Sequence, residues 1–221
     1  MVIAGIDVGI LTVVCVLLLV AVILTTIKLI VRLTKKKDWQ FHIIALVVLL
    51  IPLGIAGFFE GKQQYINYVA SDITREVVGR NNVSAKCVRN IGDALDINQY
   101  SRAVGWAQVG GQQSKLDRTT CKYFYEWLLS KDRTHPTDQQ FYAIHVIIHE
   151  AIHLSGEDSE SETEYKTVEI FEKIAINLGI NRTEAKRYNE YYKTDINPRL
   201  PEQYHVDWAG KEAEKITEES D

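Results

Sequence analysis

The sequence predicts an α+β chain: a two-helix transmembrane hairpin followed by a small mixed domain. Three observations carry that expectation. Two long apolar runs lie before residue 60, short strand candidates flank Gly110-Gly111, and helical apolar patterns dominate from Thr119 onward.

The first run, Val8 to Ile27 (VGILTVVCVLLLVAVILTTI), holds twenty residues without a charge, enough to cross a bilayer as a helix. The second, Phe41 to Phe59 (FHIIALVVLLIPLGIAGFF), has His42 near one end and Pro52 inside. Proline is tolerated in a spanning helix because neighbouring groups re-satisfy the freed carbonyl. A pair of buried core helices is the alternative, disfavoured by the length and apolarity of both runs. A cleaved signal peptide fits less well, because the first run is too long, its N-terminus lacks basic residues and a second span follows closely. The hairpin is therefore expected over residues 1–60, with spans at about 8–27 and 41–59 and the lipid bilayer as a partner. Between the spans lies Arg32-Leu33-Thr34-Lys35-Lys36-Lys37. The positive-inside rule puts this loop in the cytoplasm, so everything after Phe59 is expected outside it.

Cysteine usage agrees with that placement. Cys15 lies in the first span, leaving Cys87 and Cys121 as the only pair beyond it. In an oxidising compartment such a pair is a candidate disulfide, although two unpaired buried thiols would satisfy the same count. Charge excludes one class of partner. Of 25 Lys and Arg, five precede residue 61, and of 29 Asp and Glu, three do, which leaves a net of about −6 on the remainder. With no basic stripe, nucleic acid is not an expected partner.

Gly61 to Gly79 carries Tyr65, Tyr68, Val69, Ile73 and Val77 at helical spacing, so residues 61–84 read as a stalk helix and linker continuing from the second span. The domain proper is expected over 85–206. Strand candidates stand around Cys87-Val88 and from Trp106 to Leu116, with Gly110-Gly111 as a hairpin turn. Thr137-Asp138-Gln139-Gln140, directly after Pro136, is a capping-box pattern. The helix it opens should run to about Leu154 and stop at Gly156. Ser159-Glu160-Ser161-Glu162 is a second such pattern, opening a helix with Val168, Phe171, Ile174 and Leu178 on one side. A short helix from Thr183 to about Tyr192 precedes Asn197-Pro198-Arg199-Leu200-Pro201, where regular structure should stop. The acidic tail, residues 207–221, reads as a solvated or frayed end.

The chemistry concentrates in His149-Glu150-Ala151-Ile152-His153. Residues four apart on a helix lie about 6 Å apart along its axis, so both imidazoles can point at one ion. Glu150, rotated about 100° from His149, approaches that point from the side. Two neutral imidazoles at this spacing suit Zn2+, and the glutamate suits proton transfer from a water held by the metal. His145 stands about 12 Å along the axis from His153 and cannot share that ion, which leaves it a packing or hydrogen-bonding role. Glu160 and Glu164 share a helix face, while Glu162 is expected to close the capping box with Ser159. Glu157 and Asp158, in the turn after Gly156, read as solvent-facing or cap residues.

This run, His149-Glu150-Ala151-Ile152-His153 followed by Glu160-Ser161-Glu162-Thr163-Glu164, resembles the gluzincin-type HExxH zinc metallopeptidases. It is most similar to small minimal-domain bacterial gluzincins with a HExxHLxG…ExxxE pattern. It departs from the metzincin pattern, having Ser159 where a third histidine would stand, and from ExxAD, having Thr163 and Glu164 in the last two places. The resemblance implies a zincin-like domain with an active-site helix, a glutamate helix and a short antiparallel sheet. It implies one zinc per chain held by His149, His153 and Glu160, with Glu164 supporting a histidine and Glu150 as general base. It also implies a cleft edge strand, matched here by Gln112, Gln113, Ser114, Lys115 and Leu116, which in itself reads equally well as an ordinary hairpin strand. A donor to the transition state is expected among Tyr188, Tyr191, Tyr192, Tyr204 and His205. The expected function is a membrane-anchored, zinc-dependent hydrolase of peptide or protein substrates with an extracytoplasmic catalytic domain. The alternatives are an extracytoplasmic binding or sensor module with structural zinc, and an intracellular processing enzyme of inverted topology.

Overall fold

The computed structural model describes residues 2–3, 6–7, 10–35, 39–88 and 104–218. The chain forms two compact units, Met1–Tyr65 and Ile66–Asp221.

In the first unit a minimal antiparallel pair, β1 (Val2–Ile3) and β2 (Ile6–Asp7), precedes helix α1 (Ile10–Thr34). Helix α2 starts at Gln40 and runs without interruption through Pro52 to Val78. Both helices are long and apolar enough to cross a membrane, with mean hydropathies of 2.9 and 2.5 and only 0% and 6% of the apolar windows buried. Several of their polar groups are paired within the unit. Thr25 and Thr26 donate to the carbonyls of Ala21 and Val22 one turn back, and Glu60 Oε1 accepts from Thr12 Oγ1 at 2.8 Å and Gln64 Nε2 at 2.7 Å. Lys36 and Lys37 of the basic loop lie outside the described residues.

The second unit is α+β and mostly helical, with one three-stranded sheet among the described residues. Its first element is the end of α2. Where the spacing predicts a stalk, Ile66, Ala70 and Ile73 are instead core residues, and Asn67 Oδ1 and Ser71 Oγ accept from the backbone N–H groups of Cys87 and Ala85. Those bonds seat strand β3 (Ser84–Cys87). Strands β4 (Gly105–Ala107) and β5 (Gln113–Leu116) follow, in the order β3-β5-β4. β4 and β5 form the expected hairpin, antiparallel with Gly105 opposite Leu116, around a turn in which Gly110 takes φ 68°.

Two expectations fail here. The sheet is mixed rather than antiparallel, because β3 pairs parallel with β5, Ser84 opposite Gln113 and Cys87 opposite Leu116. Consequently Gln113, Ser114, Lys115 and Leu116 form the central strand, and the Gln112 carbonyl accepts from Ser84 N–H at 2.9 Å. With neighbours on both sides, this stretch cannot be a cleft edge. Burying Ala85 and Cys87 drives β3 against β5, and the Cys87–Cys121 disulfide, Cα–Cα 6.0 Å, ties it to the next helix.

That helix, α3 (Arg118–Leu128), is capped by Asp117, whose carboxylate accepts from Thr120 N–H. Then follow α4 (Asp138–Ser155), α5 (Glu160–Asn177) and α6 (Arg182–Tyr191), each with a polar N-cap residue: Thr137, Ser159 and Asn181. A π-helical turn over Tyr192–Ile196 and two 3-10 turns lead to α7 (Trp208–Glu218). Helix α4 is the central element, buried from Ala143 to Leu154. Its Phe141 stacks on Tyr188 at 4.8 Å, which in turn meets Phe171 of α5 at 4.9 Å. The tail is not frayed over 208–218. Lys211 and Lys215 of α7 pair with Glu162 at 2.9 Å and Glu169 at 3.1 Å, seven residues apart on one face of α5. Glu162 is thereby drawn from its expected capping role: its N–H bonds Ser159 Oγ, but its carboxylate goes to Lys211.

Candidate metal centre

Helix α4 starts at a closed capping box, Thr137 with Gln140, and stops at Gly156, whose φ of 116° an L side chain would resist. These ends set the rotation of the helix, and with it the face that carries His145, His149 and His153. The chain reverses through Glu157 and Asp158 and enters α5 with Glu160 in its first turn. Two further bonds hold the end of α4. Gly110 N–H, in the β4–β5 turn, donates to the His153 carbonyl at 2.9 Å, and Arg80 Nη2 donates to the Leu154 carbonyl at 2.5 Å.

Three ligand-type atoms converge here. His149 Nε2 and His153 Nε2 are 3.1 Å apart, and Glu160 Oε2 lies 3.1 Å from the first and 3.2 Å from the second. Donors each about 2.0–2.1 Å from one tetrahedral ion stand about 3.3 Å apart, so the triangle fits a single divalent ion closely. Among the described residues, these are the three side chains whose ligand atoms group in this way.

The outer nitrogens are held as metal-bound imidazoles require. His153 Nδ1 contacts the Glu157 carbonyl at 2.8 Å. His149 Nδ1 lies 3.2 Å from Glu164 Oε1, within ion-pair reach although off the alignment of a full hydrogen bond. Glu164, 4% exposed, serves three partners: its other oxygen contacts His145 Nε2 at 2.8 Å and accepts from the Tyr192 hydroxyl at 2.5 Å. His145 thus reaches His149 through Glu164 and stacks on Tyr192 at 3.9 Å.

The electrostatics follow from this crowding. Burial opposes charge on His149, but the neighbouring carboxylates of Glu160 and Glu164 outweigh it and push the imidazole up to about 10. His153 is raised in the same way, against burial, by Glu160 and the Glu157 carbonyl. Burial also works against the two carboxylates, yet the histidines hold Glu160 down at about 2 and Glu164 well below the usual range. His145 goes the other way, lowered by burial. Glu150 lacks such partners. Burial pushes its carboxyl up to about 7 against the opposing charges of His149 and His153.

No known protein family, curated protein or solved structure matches this chain.

Glu150 sits against β4. A Cβ on Gly105 would fall 2.6 Å from Glu150 Oε1 and 2.8 Å from its Cγ, so only glycine lets the strand approach this carboxylate. Among the described residues β4 has one sheet neighbour, β5, making it the strand edge beside the site. Of the five donor candidates, Tyr188 is core and Tyr192 is committed to Glu164, while His205 Nε2 contacts the Leu200 carbonyl at 2.8 Å. Tyr191 packs at the rim of the core. Tyr204 is the one whose ring lies beside the His/His/Glu cluster, 6.1 Å from the His149 ring. Its loop is clamped by buried Asn197, which donates to the Tyr204 carbonyl and accepts from Val206 N–H.

Sequence reasoning had no grip on Gly105, on the Glu157 carbonyl or on the clamp at Asn197. Gly105 alone left a trace, as a lone glycine before a strand candidate, a pattern that signals close backbone approach.

Proposed function

We propose that this chain is a membrane-anchored, zinc-dependent peptidase of zincin-like architecture whose catalytic domain lies outside the cytoplasm. The observation that carries the reading is the convergence of His149, His153 and Glu160 on one point beside the buried Glu150. Three protein ligands leave a fourth position for water or substrate, as catalytic zinc sites do and closed structural sites do not. When bound there, Zn2+ would supply Lewis-acid polarisation of a carbonyl and of a water.

The chain's own residues account for the remaining steps. Glu150, raised toward neutrality by burial, accepts the proton of the attacking water and passes it to the leaving amine. Gly105 lets β4, which among the described residues has β5 as its one sheet neighbour, lie along the site, where an extended peptide can add as a strand. The Tyr204 hydroxyl donates to the oxygen that gains negative charge in the transition state. Glu164, with His145 and Tyr192 behind it, holds His149 in one orientation. The two apolar helices support the anchor, and the disulfide together with the basic loop supports the extracytoplasmic side.

The test uses the full chain in detergent. Wild type should carry one zinc and hydrolyse members of a peptide library. Glu150→Gln should keep its zinc and lose about 10²–10⁴-fold in turnover, because an amide cannot accept the proton. Equal turnover in Glu150→Gln would overturn the mechanism. Full zinc with no hydrolysis by wild type would favour a binding module.

A further inference from the structure

A cavity of about 330 Å³ lies along α4 on the N-terminal side of His149 and His153. That volume is at the lower end of small-molecule sites, about 300–1,000 Å³, and suits one large side chain. Its walls include Val104, Tyr123, Tyr142, Ala143, Tyr191 and Ile196. Two of the polar groups there are engaged elsewhere. Thr120 Oγ1 donates to the Val104 carbonyl at 3.0 Å, and the Asp138 carboxylate accepts from Arg187 Nη2 at 3.1 Å. The cavity therefore presents ring faces and aliphatic surface, with its one carboxylate already paired.

Its position links it to the site. Tyr142 and Ala143 precede His149 and Glu150 by two helical turns on the same faces, about 10 Å along the axis. Val104 leads directly into Gly105, the residue packed on Glu150. Tyr142 stacks on His145 at 6.2 Å, the histidine that contacts Glu164. A peptide laid along β4 advances about 3.3 Å per residue and turns alternate side chains toward the protein. At that rise, the roughly 10 Å between cavity and site is about three residues of extended peptide, so a side chain about three residues from the scissile bond reaches the mouth of the cavity.

We propose that this cavity is the specificity pocket, taking one uncharged aromatic or long aliphatic side chain of the bound peptide. The inference rests on the peptidase reading for its occupant.

The test uses the zinc-loaded full chain in detergent and blocked peptides that differ at one position: Phe, Leu, Ala or Lys. Both hydrolysis and binding, by fluorescence anisotropy, are followed. Phe and Leu peptides should exceed Ala and Lys peptides by about 30-fold or more in kcat/KM, in the range that a few methylenes confer in an apolar pocket. Ala143→Leu fills the cavity from its wall and should bring the Phe-to-Ala ratio near one while leaving zinc content unchanged. Thr119→Trp, at an exposed lining position, fills the mouth without touching the core and should do the same if Ala143→Leu fails to fold. A Phe preference that survives both substitutions overturns the pocket, as does wild type that cleaves Lys and Phe peptides equally. If wild type cleaves nothing, the peptidase reading falls and binding decides the pocket. Phe-peptide binding weakened by either variant upholds it, and binding that is absent or unaltered overturns it.

Discussion

Glu160 and Glu164 share a face of α5 but meet different atoms. Glu160 reaches the inner nitrogens of both histidines, while Glu164 reaches the outer nitrogen of His149 and the buried pair behind it. Their removal should therefore differ in degree. Glu160→Ala should lose most of the zinc affinity, and Glu164→Gln should weaken it about 10–100-fold, as measured by chelator competition. The reverse order would exchange their roles. The same geometry sets a pH dependence. In the metal-free protein His149 and His153 hold their protons above the usual imidazole range, and a metal binds only the deprotonated rings. Raising the pH removes the competing protons, so affinity should climb at least about tenfold per unit between pH 6 and 8, with proton release visible in the buffer dependence of the binding enthalpy. A flat profile would show that the rings are already neutral. At this scale the metal-binding pattern was legible because its partners lie within one helix and the turn that follows. Gly105 was not, because the carboxylate it accommodates is 45 positions away in the chain.

Helices were readable as elements for a physical reason: caps and apolar periodicity are local, and Thr137, Gly156, Ser159 and Asn181 all act within a turn of their own position. Strand order was not. Whether β5 lies at an edge depends on β3, whose Ser84 pairs with Gln113 across the intervening chain. The C-terminal helix was missed because its composition is that of a solvated end, and its order comes from Lys211 and Lys215 meeting Glu162 and Glu169. The disulfide acts at this scale too, joining β3 to α3 across a separation of 34 residues. Loop-closure entropy for a ring of that size is worth about 4 kcal/mol. Replacing Cys87 and Cys121 together by Ser should lower the unfolding free energy of the second unit by about 3–4 kcal/mol in denaturant titration. A loss under about 1 kcal/mol would mean that the bridge adds little to β3 beyond its bonds to Asn67 and Ser71.

For the whole molecule, the arrangement of two long apolar helices around a basic loop predicts a hairpin with both ends on one side of the bilayer. In intact cells, amine reagents that do not cross membranes should leave Lys35 unmodified, while an epitope at the C-terminus should be accessible without permeabilisation. The opposite pattern, together with free thiols at Cys87 and Cys121, would place the domain in the cytoplasm. The bridge between those cysteines also makes a closed covalent ring of residues 87–121, and β4, the strand beside Glu150, lies inside it. A single cut within that ring, by any protease, leaves both pieces joined. Such a molecule gains only the mass of one water and migrates as an intact chain until it is reduced. Damage of this kind stays hidden on a non-reducing gel, and only a reduced gel exposes the cut.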